Sequence, residues 1–321
     1  MTSRDFMYMN LRIKPLLRGL STYIPWIGQR FVRTTGGTDS ARYCYSVWLR
    51  HLVMAGKNGL NPCPKTVAEL GPGDSLGIGL AALISGCERY YAFDVVAYAD
   101  PERNLQIFDE LVTLFKNKTD IPDQREFPLV KPYLDHYDFP SHLLTDDRLE
   151  QALIPSRLKN IREAVCRSPH SDSILQYRIP WYDTNVLEKA SVDLVYSQAV
   201  LEHVEDLKRV YRAMYLWLKP GGIMSHVIDF SCHGLANHWN GHWGYSDFIW
   251  SLIKGKRLYL INREPHSVHL SLLKQAGFRI VCDLKNQSQS GLERQRLASR
   301  FQKISDDDLE TETAFIQAVK I

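Results

Sequence analysis

The sequence predicts an α/β protein: a doubly wound, mainly parallel seven-stranded sheet of Rossmann-like form, with N-terminal helices and a helical insertion. Three observations carry that expectation. Apolar runs alternate with helical patterns from Thr66 onward, the signature of a parallel sheet wrapped by helices. The stretch VAELGPGDSLGIGLAAL (67–83) passes from a buried run into a helix through a glycine loop, a turn built for close backbone approach to a ligand. Finally, a helical run from Val200 to Leu218 stops at Lys219-Pro220-Gly221-Gly222 and turns into the next apolar run.

In chain order, the strands are expected at Thr66–Leu70, Arg89–Val95, Ile174–Ile179, Val192–Ser197, Ile223–Phe230, Phe278–Leu284 and Ala314–Lys320. Between the fourth and fifth, Val200, Val204, Leu207, Tyr211, Met214 and Leu218 step by three and four and line one helix face. Residues 1–60 read as an N-terminal helical cap and 61–321 as the main domain. Residues 116–173 carry scattered prolines and a helical stretch around Leu149–Val165, an insertion expected as a lid over a pocket. Residues 231–264 form a His/Trp-rich loop after the fifth strand.

The 321 residues, 45% hydrophobic and 23% charged, suffice for one substantial core with elaborations. Thirty-nine basic residues against 36 acidic ones leave a charge of only +3, which argues against a nucleic-acid partner. Six cysteines form no CxxC pair, as in reduced, cytoplasmic proteins. No apolar run reaches the roughly 18 residues of a transmembrane span, and the N-terminus has no signal-peptide core. Residues 1–35 interleave basic side chains with Leu16, Leu17, Leu20, Tyr23, Ile24, Trp26, Ile27 and Phe31, which leaves peripheral membrane contact open beside a capping role.

The glycine loop selects its ligand by charge and spacing. A dinucleotide site wants G-x-G-x-x-G, and position 76, which should then be glycine, is Leu76. Glu69 and Asp74 put carboxylates on either side of the loop, which repels pyrophosphate and suits a cationic ligand. Asp94, 23 residues past Gly71 at the tip of the second strand, is placed to accept ribose hydroxyls. These features point to S-adenosylmethionine.

Together with Ser191-Val-Asp-Leu-Val-Tyr-Ser-Gln-Ala-Val-Leu-Glu-His-Val and Leu218-Lys-Pro-Gly-Gly, the chain resembles the class I S-adenosylmethionine-dependent methyltransferases, especially the small-molecule branch. The resemblance covers Thr66–Val95 and Ile174–Phe230 and implies a methyltransferase fold with S-adenosylmethionine as cofactor. It implies that Glu69, Gly71, Pro72 and Gly73 line the methionine end, Asp94 the ribose, and Ser197 and Gln198 the space below the sulfonium. Tyr182 or Asp183 would lie beside adenine.

Methyl transfer is an in-line displacement, so the protein aligns the nucleophile and accepts its proton. His203, after the fourth strand, is one candidate base, with Glu202 and Glu205 beside it. Six of eleven histidines, at 226, 233, 238, 242, 266 and 269, fall within 44 residues and interleave with Asp229, Trp239, Trp243 and Trp250. Read functionally, Asp229 or His233 receives a proton while Trp239, His242 and Trp243 wall an acceptor pocket. A metal reading would take three of these side chains as ligands around a divalent ion, but their spacings match no compact metal motif and no metal ligand is assigned. The expected activity is methylation of a small metabolite or saccharide at oxygen. Transfer or cyclisation of the aminocarboxypropyl arm, and a non-catalytic cofactor-binding scaffold, are the alternatives. Oligomeric state has no sequence signal.

Overall fold

Val67, Ala68, Glu69 and Leu70 are all buried, the continuous burial of a strand covered on both faces. A computed structural model describes residues 12–24, 38–167, 174–181, 184–257 and 259–321. In chain order it contains α1 (Ile13–Ser21), α2 (Ala41–Lys57), β1 (Thr66–Leu70), α3 (Gly77–Ile84), β2 (Arg89–Phe93), α4 (Pro101–Lys116), α5 (Asp146–Ala152), α6 (Pro155–Arg167) and β3 (Leu175–Arg178). There follow β4 (Val192–Gln198), α7 (Leu207–Trp217), β5 (Leu218–Asp229), α8 (Asp247–Lys254), α9 (His266–Ala276), β6 (Phe278–Gln287), α10 (Asp306–Glu310) and β7 (Thr311–Lys320).

The seven strands form one sheet in the order β3-β2-β1-β4-β5-β7-β6. Only β7 runs antiparallel, between β5 and β6. The order reverses at β1, which pairs with β2 on one side and β4 on the other. That reversal opens a crevice beyond the carboxyl ends of the strands. Val67, Leu194 and Val227 face a core shared with α2, α3 and α4, while Ala68, Val195 and Ile228 face one shared with α7 and α9.

Three expectations change. The helix after β4 is two pieces. Leu201–His203 is a single 3₁₀ turn, and α7 starts afresh when the Asp206 carboxylate accepts from the Arg209 amide at 3.0 Å. Residue 60 is no packing boundary either. His51 of α2 shares a 2.7 Å hydrogen bond with Ser225 of β5, and Trp48 lies against Tyr196 of β4. So α2 is a layer of the main core, and only α1 sits apart, packed on α8.

The insertion packs against α2. Its residues 119–132 receive hydrogen bonds from Tyr45, Ser46 and Arg50 of α2, and Lys57 pairs with Asp135. Leu144, Leu149, Ile161 and Val165 join the core of α3 and α4. The physical reason is that α2 has twelve buried residues distributed around its circumference, so its side away from the sheet needs cover. Pro155 divides the predicted helix of this region into α5 and α6. Among the described residues, no helix is long and apolar enough to cross a membrane.

Candidate active site

Between β1 and α3 the chain turns through Gly71 (φ +63°) and Gly73 (φ +76°), a region L side chains enter at a cost. A Cβ on Gly71 would also lie 2.7 Å from the Val200 side chain. The loop therefore passes directly beneath the tip of β4. Ser75 accepts from the Gly77 amide, its own amide donates to Thr38 Oγ1, and the Asn104 carboxamide accepts from the Leu76 amide at 2.8 Å. Thr38 and Asn104 carry no pattern in the sequence that marks this role.

Asp94 stands at the tip of β2, where its Oδ1 accepts from the Val95 amide at 2.7 Å. Burial raises its pKa, opposed by hydrogen bonds from the Val95, Val96 and Gly73 amides. Glu69 is 2% exposed, and its Oε2 accepts from Tyr90 at 2.5 Å and Tyr196 at 3.0 Å. Burial pushes its carboxyl up to about 7, against the pull of the two phenols. A backbone loop in close approach, with two buried carboxyl groups beside it, fits the cationic and ribose parts of S-adenosylmethionine.

At β4, Gln198 Oε1 is buried without a well-formed hydrogen bond, and the side chain is turned toward the His51 ring. The Ser197 hydroxyl is fully buried and shares a 2.7 Å hydrogen bond with His226 Nδ1 on β5. It helps fasten β4 to β5. Pro72 is buried in the loop. Tyr182 and Asp183 lie outside the described residues.

The fourth and fifth strands end on the same edge and bring three predicted residues together. His203 follows Val200 by one 3₁₀ turn, its amide donating to the Val200 carbonyl at 2.9 Å. Its ring lies 5.1 Å from that of His233, and His233 Nε2 lies 3.2 Å from Asp229 Oδ2. Burial, with His233 alongside, lowers His203 to about 4. Burial favours a protonated Asp229, but hydrogen bonds from His233 and Ser231 outweigh it and hold the carboxyl below its usual range. One donor atom each from Glu202, His203 and His233 lie within 4.8 Å of one another. Linear spacing, which assigns no metal ligand, does not reveal this grouping.

A small cavity beside these groups is lined by Glu202, Asp229, Phe230, Ser231, His242, Ile261, Asn262, Arg263 and Glu264. His242 therefore joins the site, 2% exposed and with no well-formed hydrogen bond at Nδ1. Trp243 does not: it is fully buried among Leu292, Leu297 and Phe301, its Nε1 donating to the Arg263 carbonyl at 3.0 Å. Trp239 packs edge-on against it at 5.8 Å, so the pair is tied to the loop after β6. Three of the clustered histidines are core residues as well. His226 pairs with Ser197, His266 with Asp283 and His269 with Tyr211. Sequence reasoning missed Asn262, whose amide donates to the Glu202 carbonyl at 2.6 Å and whose side chain donates to Leu201 and Val204 at 2.8 Å each.

One comparison with known proteins matches a segment that includes part of this edge of the sheet. A "Methyltransferase domain" family model matches residues 155–225, the stretch holding β3, β4, the 3₁₀ turn and α7. The tRNA 5-carboxymethoxyuridine methyltransferase of Escherichia coli K12 is 33% identical over 94 residues, 28% of this chain and 35% of that protein. The chain thus matches about a third of the length of that relative. Among solved structures, an S-adenosylmethionine dependent methyltransferase from Mesorhizobium loti shares 14% identity at a TM-score of 0.38, over 79% of this chain and 90% of that one. Phosphoethanolamine N-methyltransferase 2 of Haemonchus contortus, crystallised with S-adenosyl-L-methionine, shares 14% at 0.42, over 100% of this chain and 60% of that one. Residues 155–225 are thus similar to a methyltransferase domain, and the match lies across the strand that adjoins the glycine loop, where the sheet reverses its order.

Proposed function

We propose that the protein transfers a methyl group from S-adenosylmethionine to a hydroxyl of a small metabolite or saccharide in the cytoplasm. The observation that carries this reading is the meeting of His203, Asp229 and His233 one turn from Val200, which itself lies on Gly71. Gly71 and Gly73 would hold the methionine end, with Pro72 and Glu69 beside them, and Asp94 the ribose. S-adenosylmethionine supplies a methyl carbon already activated by a sulfonium. Asp229 and His233 form a hydrogen-bonded pair that can take a hydroxyl proton as the oxygen attacks, a contribution of about 10²–10⁴-fold in rate. His242 lines the cavity from which the acceptor would approach.

The E. coli relative is named for a tRNA nucleoside, so tRNA belongs among the acceptors offered, although the near-neutral charge of this chain favours a small one. The test has two arms. Calorimetry should show Asp94→Ala weakening S-adenosylhomocysteine binding by about 1.5–3 kcal/mol, as for a hydrogen bond to a charged group. Methyl-labelled cofactor, incubated with a metabolite extract and separately with tRNA, should label a small hydroxylated product and release S-adenosylhomocysteine. Methylthioadenosine instead would identify aminocarboxypropyl chemistry, label in tRNA a nucleic-acid acceptor, and cofactor binding without turnover a scaffold.

A further inference from the structure

We propose that Glu202, His203 and His233 bind one first-row divalent metal ion at the mouth of the cavity beside Asp229. Each contributes one donor atom, and the three atoms lie within 4.8 Å of one another. Ligands about 2.0–2.2 Å from a common ion stand roughly 3–4 Å apart, so modest side-chain rotation would close the set.

The unmet hydrogen-bonding capacity at this place is the second, independent observation. Neither carboxylate oxygen of Glu202 makes a well-formed hydrogen bond although the residue is 3% exposed, with only the backbone amides of Glu202 and Asp229 turned toward the carboxylate, and His203 Nδ1 is buried without a well-formed bond as well. His242, 2% exposed and with no well-formed hydrogen bond at Nδ1 beyond the approach of its ring to the Trp239 backbone, lines the same cavity. A buried polar group left without a partner costs about 1–3 kcal/mol, more when charged. Four atoms short of a well-formed bond on three neighbouring residues form a site that a ligand completes.

Positioning is also present. The Asn262 amide and side chain fasten the 3₁₀ turn that carries Glu202 and His203. The Asp229 carboxylate, 3.2 Å from one ring nitrogen of His233, fixes that ring as carboxylates behind metal-bound histidines do. His233 sits at φ +49°, a strained backbone for a non-glycine residue, and strain of this kind concentrates at functional positions. Two imidazoles and a carboxylate suit Mn²⁺, Fe²⁺, Co²⁺ or Zn²⁺ better than Mg²⁺, which prefers all-oxygen ligands. Ion binding stands on these residues alone. Its role, holding the acceptor hydroxyl and lowering its proton affinity, rests on the methyl-transfer reading.

The full chain, saturated with S-adenosylhomocysteine, should be titrated with Mn²⁺ and followed by loss of the free-ion paramagnetic resonance signal. Mn²⁺ is chosen because exposed Cys63 and Cys166 would capture a thiol-seeking ion such as Zn²⁺. One Mn²⁺ per chain is expected, bound at least tenfold more weakly by Glu202→Gln and by His233→Ala, with S-adenosylhomocysteine affinity unchanged in both. His233 is exposed, so its variant should fold even if the buried substitution does not. Absence of stoichiometric Mn²⁺ in the wild type, or undiminished binding by His233→Ala, would overturn the site. Stoichiometric Mn²⁺ lost in the variants, in a protein that transfers no methyl group, would support the ion site and count against the function.

Discussion

Glu69 holds a carboxyl group beneath the glycine loop, between the hydroxyls of Tyr90 and Tyr196. Because burial raises its folded value to about 7 from an ordinary 4.5, the folded protein binds this proton more tightly than the unfolded chain does. The stability so contributed is complete below pH 4.5 and disappears as pH rises through 7. Relative to Glu69→Gln, wild-type unfolding free energy should therefore decline by up to about 1.4 kcal/mol per pH unit across that window. Denaturant titrations of both proteins at pH 5 and pH 8 measure the difference, and a gap that does not change with pH would show that the carboxyl stays ionised. A cationic ligand above the loop would draw this proton off, so cofactor binding should release protons near pH 6.5.

At the scale of elements, the segment after β5 divides into parts that composition does not distinguish. Cys232, Leu235, Ala236, Tyr245, Ile253 and Ile261 form a small core of their own, on which Leu16 of α1 packs. Trp243 anchors a second one with Leu292, Leu297 and Phe301. Replacing Trp243 with Ala should cost about 3–5 kcal/mol, the range for deleting a buried aromatic side chain. Chemical denaturation checks this. A variant of normal stability with a raised acceptor KM would restore the stacking role that the tryptophan density suggested. The Leu201–His203 turn illustrates the same limit in smaller compass. Its apolar spacing is helical, yet Asp206 caps a new helix and leaves Glu202 on a turn lining the cavity, with His203 next to it in the chain.

Across the whole molecule, α2 is sandwiched between the sheet and the insertion. Arg50 is fully buried in that sandwich and donates to the carbonyls of Val130 at 2.6 Å, Pro132 at 2.9 Å and Pro122 at 2.9 Å. A guanidinium supplies this fan of donors in a fixed plane, which an ammonium cannot. Arg50→Ala would strand three carbonyls and should cost at least about 3 kcal/mol. Limited proteolysis should then cut faster within residues 119–135, while the folded fraction keeps its S-adenosylhomocysteine affinity. Unchanged proteolysis would mean that the insertion is held by its apolar contacts alone.

The strand runs, the glycine loop with its flanking carboxylates, and Asp94 at the end of β2 were legible because each follows from a local rule. A strand buried on both faces must be apolar throughout, a tight ligand loop needs glycine, and the residue at a strand tip is fixed by where the strand ends. The chain order of motifs likewise placed His203 and Asp229 on one edge, since parallel neighbours deliver their carboxyl ends together. Only the tertiary structure decided which polar side chains share a cavity. Glu202 meets His233 and His242 across 31 and 40 residues of chain, while His226, His266 and Trp243, of the same residue types in the same region, are enclosed by partners from other elements. That outcome depends on which neighbours close around each side chain, and long-range packing sets it where periodicity and spacing do not.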